Sequence, residues 1–258
     1  MTHLTRCLTE LRETSAGLAD EIATISDEAW DGPTNCPPWL VRDIAAHVVT
    51  SGQGFVGSIR RGLAGSTEPP PHGAGTDLRG ANPVTVGQAL ATVTREFLSL
   101  YPGLTDAQLD TICWHRRGNR SVRWYATHRL AEVAFHGWDL RTSLGRQSAF
   151  NVEVARLLLP TLLESNVPRT YAAGLSQERG RGERYALCVA DDPSATWVVT
   201  IEPDVLNVSP GDDVADARIT ATADVLALLV YGRAPLAQAR VDGDPAAIER
   251  FDRIFPRP

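Results

Sequence analysis

A chain of 258 residues, 43% of them hydrophobic, can bury a full core and divide into two domains of ordinary size. Its 25 basic and 31 acidic residues leave a formal charge of −6 without a long basic run, so the electrostatic footprint needed for a nucleic-acid backbone is missing. No apolar stretch approaches the ~18 residues that cross a bilayer, and charges break up the N-terminal segment where a signal peptide would be apolar. The expectation is a cytoplasmic chain with neither membrane nor nucleic acid as partner.

From Leu4, the apolar residues Leu4, Cys7, Leu8, Leu11, Leu18, Ile22 and Ile25 recur mostly at three- and four-residue steps, which predicts a long amphipathic helix. The turn Asp31-Gly-Pro-Thr-Asn-Cys-Pro-Pro ends it, and a second helix follows over 39–61. Residues 65–83, with Pro-Pro-Pro at 69–71, read as a long surface loop that can flank a site. Helices over 85–100 and 122–144 complete a four-helix up-and-down unit. Past residue 170 the texture changes to short β-type runs at 185–189, 197–201, 205–208 and 218–222, then a helix at 223–231, a strand at 239–241 and a helix at 245–254. The fold class is therefore α+β, with an all-helical domain over 1–168 and a smaller α+β domain over 184–258, joined by the Gly-, Arg- and Glu-rich stretch 169–183.

The four cysteines, Cys7, Cys36, Cys113 and Cys188, are scattered without a CxxC pair, which argues against a disulfide framework and a thiolate metal cage. Each reads as a small apolar residue. Cys36 alone merits a test as a nucleophile, because a following helix N-terminus would lower its thiol pKa.

The chemistry concentrates in Thr127-His-Arg-Leu-Ala-Glu-Val-Ala-Phe-His-Gly-Trp-Asp139, where His128, Glu132 and His136 stand at i, i+4 and i+8 on one helical face. Eight residues of helix rise about 12 Å, too far for all three to share one ion. The spacing therefore leaves two pairs open, His128 with Glu132 or Glu132 with His136. His47 is the best third ligand, since Ile44, Val48 and Phe55 mark the buried face of its helix. A His-Glu-His set leaves a coordination position for water or substrate, as in catalytic zinc sites. Taken singly, each histidine is more often a hydrogen-bonded core or surface residue, and Glu132 a solvated i, i+4 partner.

The segments Cys36-Pro-Pro-Trp-Leu-Val-Arg-Asp-Ile-Ala-Ala-His47 and Arg129-Leu-Ala-Glu132-Val-Ala-Phe-His136-Gly-Trp-Asp139-Leu resemble the mycothiol-dependent maleylpyruvate isomerase family, a branch of the DinB-like metal-binding bundles. Leu228-Leu-Val-Tyr-Gly-Arg-Ala-Pro-Leu and Val241-Asp-Gly-Asp-Pro are similar to that family's C-terminal α+β domain, which is sterol-carrier-like. The resemblance implies zinc, or another divalent ion, on His47, Glu132 and His136, with His128 outside the ligand set. It also implies mycothiol as a thiol cosubstrate activated at the open position. Arg233 resembles an arginine that the second domain offers to a substrate carboxylate, although a cation at a helix C-terminus is an equally good account. Asp139 is a candidate substrate contact or an orienting carboxylate, and Asp43 a candidate to orient His47. The basic and aromatic run 114–124 can meet an anionic ligand, though a solvated connection is the commoner outcome.

The implied function is S-transfer of a low-molecular-weight thiol to an electrophilic small molecule, in detoxification or secondary metabolism. Three other readings stay open: cis-trans isomerisation of the maleylpyruvate type, a zinc-dependent hydrolase, and a non-catalytic binder of small molecules. The electrophile and the oligomeric state have no signal in the sequence, and a His-Glu-His set suits several divalent ions.

Overall fold

The structure is a computed structural model that describes residues 1–70, 76–146, 148–211 and 213–255. Helix α1 (His3–Ala23) starts where Thr2 caps it, its hydroxyl accepting the Thr5 amide, and buries Cys7, Leu11, Leu18 and Ile22 along one stripe. A single turn, α2 (Asp27–Trp30), leads to α3 (Val41–Leu63). Helix α4 (Pro83–Leu98) begins two residues before the expected 85, because Asn82 caps it and Pro83 takes the first helical position, where no amide is needed. The short helix α5 (Asp106–Leu109) and a two-stranded ladder of β1 (Ile112–Cys113) with β2 (Arg120–Ser121) precede α6 (Val122–Ser143). The expected loop 65–83 lies partly outside the described residues, including the end of its proline run.

These four long helices form the expected four-helix unit, but not with the simple up-and-down connectivity expected, since α1 and α3 each pack against both α4 and α6. Consecutive long helices α1 and α3 thus face each other across the bundle, an arrangement with no local sequence signal. Close approach of α4 to α1 depends on Gly87, where an added Cβ would lie 2.6 Å from the Ala19 carbonyl oxygen. Helix α6 is enclosed on most sides, and it buries Arg129 and Asp139 among its apolar residues.

The second unit holds α7 (Val152–Thr161), a π-type turn (Leu162–Asn166) and α8 (Val167–Ala172). Pro160 has no amide to bond back along α7, and the helix widens just after it. A five-stranded sheet follows in the order β5-β4-β3-β6-β7, from β3 (Glu183–Val189), β4 (Asp192–Ile201), β5 (Leu206–Pro210), β6 (Ala217–Ala221) and β7 (Arg240–Gly243). Strands β3 and β6 are parallel, and the other neighbours are antiparallel. Helix α9 (Ala223–Val230) lies between β6 and β7 in the chain, and α10 (Pro245–Ile254) closes it. The chain thus has the expected α+β class, a helical unit followed by a sheet-containing one.

By packing, the units are Met1–Ala149 and Phe150–Pro258. The division falls before α7, earlier than the stretch 169–183 proposed from composition, because α7 packs on α9. No helix among the described residues is long and apolar enough to cross a membrane.

Candidate metal centre

Helix α3 starts at Leu40, whose amide donates to Asp43 Oδ2 at 2.9 Å. Asp43, a candidate to orient His47, therefore caps the helix that carries it. His47 stands one turn further on, and the Trp39 ring lies 4.8 Å from its imidazole, centroid to centroid. Helix α6 is capped by Ser121, which accepts the Trp124 amide at 3.3 Å, and brings Glu132 and His136 to the same place.

His47 Nε2 lies 3.2 Å and His136 Nε2 3.8 Å from Glu132 Oε2. One donor atom from each of the three residues lies within 4.8 Å of both others. Tetrahedral donors at ~2 Å from zinc are about 3.3 Å apart, so the cluster fits a divalent ion with small adjustments. No other described group of three histidine, cysteine or acidic side chains reaches this density. Burial alone would raise the Glu132 pKa, but the His47 hydrogen bond and the His128, His136 and His47 charges hold it well below the usual carboxylate range. It offers a full negative charge at neutral pH.

Asp139 is completely buried, with Oδ2 3.1 Å from His136 Nδ1. An ionised Asp139, which only accepts, would take the proton of Nδ1 as its hydrogen bond and leave the Nε2 lone pair toward Glu132. Of the two roles open to Asp139, the geometry supports orientation of His136.

His128 falls outside the cluster, with Nε2 3.6 Å from Glu132 Oε1. It lines a cavity of about 260 Å³ that also reaches His47 and Glu132. Trp124 stacks on it at 4.2 Å. The run 114–124 is only partly the solvated connection that composition favours: residues 116–119 are exposed, but His115 is buried and both tryptophans are half-buried. The Tyr125 hydroxyl donates to the Trp114 carbonyl, and His115 Nδ1 accepts the Arg117 amide at 3.3 Å, so this segment is pinned.

Arg129 has a structural role that spacing alone did not disclose. Its buried guanidinium donates through Nη1 to the Val48 carbonyl at 2.7 Å and to Ser51 Oγ at 3.2 Å, tying α6 to α3 beside His47. Burial lowers its pKa to about 10, against the Glu132 charge, so it stays protonated at neutral pH. Gly52 makes room for it, since a Cβ there would lie 2.8 Å from Nη2.

Cys36 is half-buried and lies ahead of Leu40, the N-cap of α3, outside the helix's first turn. Arg233 belongs to the second unit. Its amide donates to the Leu228 carbonyl at 2.8 Å and Nη1 to the Tyr231 carbonyl at 3.1 Å, which sets it at the C-terminus of α9.

The profile described as mycothiol maleylpyruvate isomerase N-terminal domain matches residues 11–141, just over half of the chain and the whole span carrying His47, Glu132 and His136. The chain belongs to this family. No curated protein matches the sequence. Among solved structures, a mycothiol-dependent maleylpyruvate isomerase and a His-to-Ala mutant of it each align at TM-score 0.66 and 15% identity, covering 94% of this chain and 95% of theirs. They share its fold from end to end. YfiT from Bacillus subtilis, described as a probable metal-dependent hydrolase with an unusual four-helix bundle topology, aligns at TM-score 0.47 and 20% identity over 56% of this chain and 89% of its own.

Proposed function

We propose that this chain is a metal-dependent enzyme that uses mycothiol as a thiol cosubstrate against an electrophilic small molecule. The observation that carries the reading is the convergence of His47, Glu132 and His136, with Asp139 behind His136 and a cavity beside them. Membership of the mycothiol maleylpyruvate isomerase family supports the choice of thiol.

When bound, a divalent ion on these three residues supplies a positive centre that lowers the pKa of a thiol placed against it. The chain's own residues prepare that place. Asp139 keeps the proton on His136 Nδ1, so the imidazole turns its lone pair inward. Glu132 contributes a single negative charge, which leaves a divalent centre net positive. Arg129 holds α3 against α6 at the level of His47, and the Trp39 ring packs beside the imidazole.

Two outcomes share the addition of sulfur to the electrophile. In isomerisation the carbon–sulfur bond forms, the adduct rotates, and the bond breaks again, so free thiol is unchanged at the end. In S-transfer the bond persists and one thiol is consumed per product. The names of the two structures that align end to end support isomerisation, while S-transfer is the reading expected from the sequence.

Zinc-loaded protein incubated with mycothiol and maleylpyruvate, followed by NMR and free-thiol titration, tests the proposal. The expected result is conversion to the trans isomer with constant free thiol. Falling free thiol would assign S-transfer, and turnover that persists without mycothiol would favour the hydrolase reading and overturn the proposal.

A further inference from the structure

Arg129 is the only arginine among the described residues that is completely buried. Its two hydrogen bonds, to the Val48 carbonyl and to Ser51 Oγ, both leave from Nη1. Nε and Nη2 are buried and donate to no described residue, and no described carboxylate forms an ion pair with the guanidinium. Taking a cation out of water without a directly paired anion is expensive even after the surroundings relax. A tether from α6 to α3 needs only a neutral donor, which glutamine supplies at far lower cost, so the tether leaves the charge unexplained. Helix α3 is nevertheless built around the guanidinium: a Cβ at Gly52 would lie 2.8 Å from Nη2 and 2.9 Å from Cζ, and α3 gives up helix propensity there to make room.

The charge lies beside the ligands. Val48, whose carbonyl it holds, directly follows His47 on α3, and Glu132 stands one turn beyond Arg129 on α6. The Glu132 charge favours the protonated guanidinium, and the coupling is mutual. Resting on the function proposed above, we propose that Arg129 is a positioning residue that acts through its charge, making the open position of the centre prefer an anion, such as a thiolate, to a neutral ligand. Glu132 takes one unit from the formal charge of a divalent ion, and Arg129 restores it. A unit charge about 10 Å away, through protein of effective dielectric ~20, changes the affinity of an anion roughly tenfold and that of a neutral ligand very little. Because the guanidinium is buried, salt screens it less than it screens the exposed arginines.

The test separates charge from support by using two small ligands. Cobalt(II)-loaded protein at pH 8 is titrated with azide, an anion, and with imidazole, which is mostly neutral there, and the visible absorption of the cobalt reports binding. Arg129→Gln and Arg129→Met, both neutral, should weaken azide about tenfold and leave imidazole within about twofold of wild type. Arg129→Lys keeps the charge without the planar fork and should bind both ligands within about threefold of wild type. Azide and imidazole weakened alike in the neutral variants, azide unchanged in either of them, or azide lost in Arg129→Lys as in Arg129→Gln overturns the charge role and leaves the proposed function standing. Neutral variants that no longer load cobalt also overturn it, since the tether would then come first. Wild type that loads no cobalt overturns the proposed function itself.

Discussion

Replacing Asp139 with asparagine preserves shape and removes the charge behind His136. The carboxylate is fully buried and 3.1 Å from Nδ1, so solvent screens the interaction little. Orienting partners of metal-bound histidines are worth about 10- to 100-fold in affinity, equivalent to ~1.4–2.7 kcal/mol. The complete burial of Asp139 puts the expectation at the upper end, near a hundredfold rise in zinc Kd. Competition against a chromophoric chelator at neutral pH measures it, and the Tm of metal-free protein reports any separate loss of folding. A zinc Kd within about twofold of wild type would refute the assignment of Asp139 to His136, because an interaction of this kind is expected to cost at least tenfold.

Two glycines one turn apart at most on α3 should respond with opposite signs. Gly54→Ala should stabilise by up to ~1 kcal/mol through helix propensity, whereas Gly52→Ala should destabilise by about 1–3 kcal/mol, since its Cβ would press on the Arg129 guanidinium at 2.8 Å and on Val93 at 3.2 Å; urea unfolding resolves the two. Burial raises the Cys7 thiol pKa and pushes that of Cys113 up to about 11, so burial disfavours both thiolates. Iodoacetamide at pH 8 should therefore label half-buried Cys36 in the native protein and reach the buried Cys7, Cys113 and Cys188 only after unfolding, as read by mass spectrometry. Arg233→Ala removes the cation at the end of α9 and its hydrogen bond to the Tyr231 carbonyl, and should lower stability by about 0.5–1.5 kcal/mol with zinc binding unchanged, as read by urea unfolding.

Local periodicity carried most of the architecture. The stripe from Leu4 to Ile22 lies within α1 and the β-type runs after residue 170 fall on β3 to β6, because burial of one face imposes its period on the sequence. Residues 152–163 alternate apolar and polar positions as a helix does, but Pro160 lies inside that pattern and reads as a helix breaker. Their affiliation with the second unit arises from packing on α9. The neighbour order of the bundle is likewise a tertiary property.

For the site, spacing left His128 and His136 equivalent on either side of Glu132. The structure separates them by surroundings, with His136 backed by Asp139 and His128 enclosed by Trp124, Phe55 and His115. Asp139 carried a signal, three residues after a candidate ligand. The run 114–124 stood out by composition, but nothing local showed that its residues 114–116 lie in one cavity with His47, a tertiary property. Asp43 had the spacing of an orienting carboxylate, and it accepts the Leu40 amide at the start of α3.

The most direct test of the central claim is elemental analysis of purified wild type and His47→Ala, each then titrated with mycothiol by calorimetry. Wild type should carry about one divalent ion and bind the thiol, as a three-residue site with an open position requires, and His47→Ala should lose both. A wild type without metal, or thiol binding that survives intact in His47→Ala, would contradict the account.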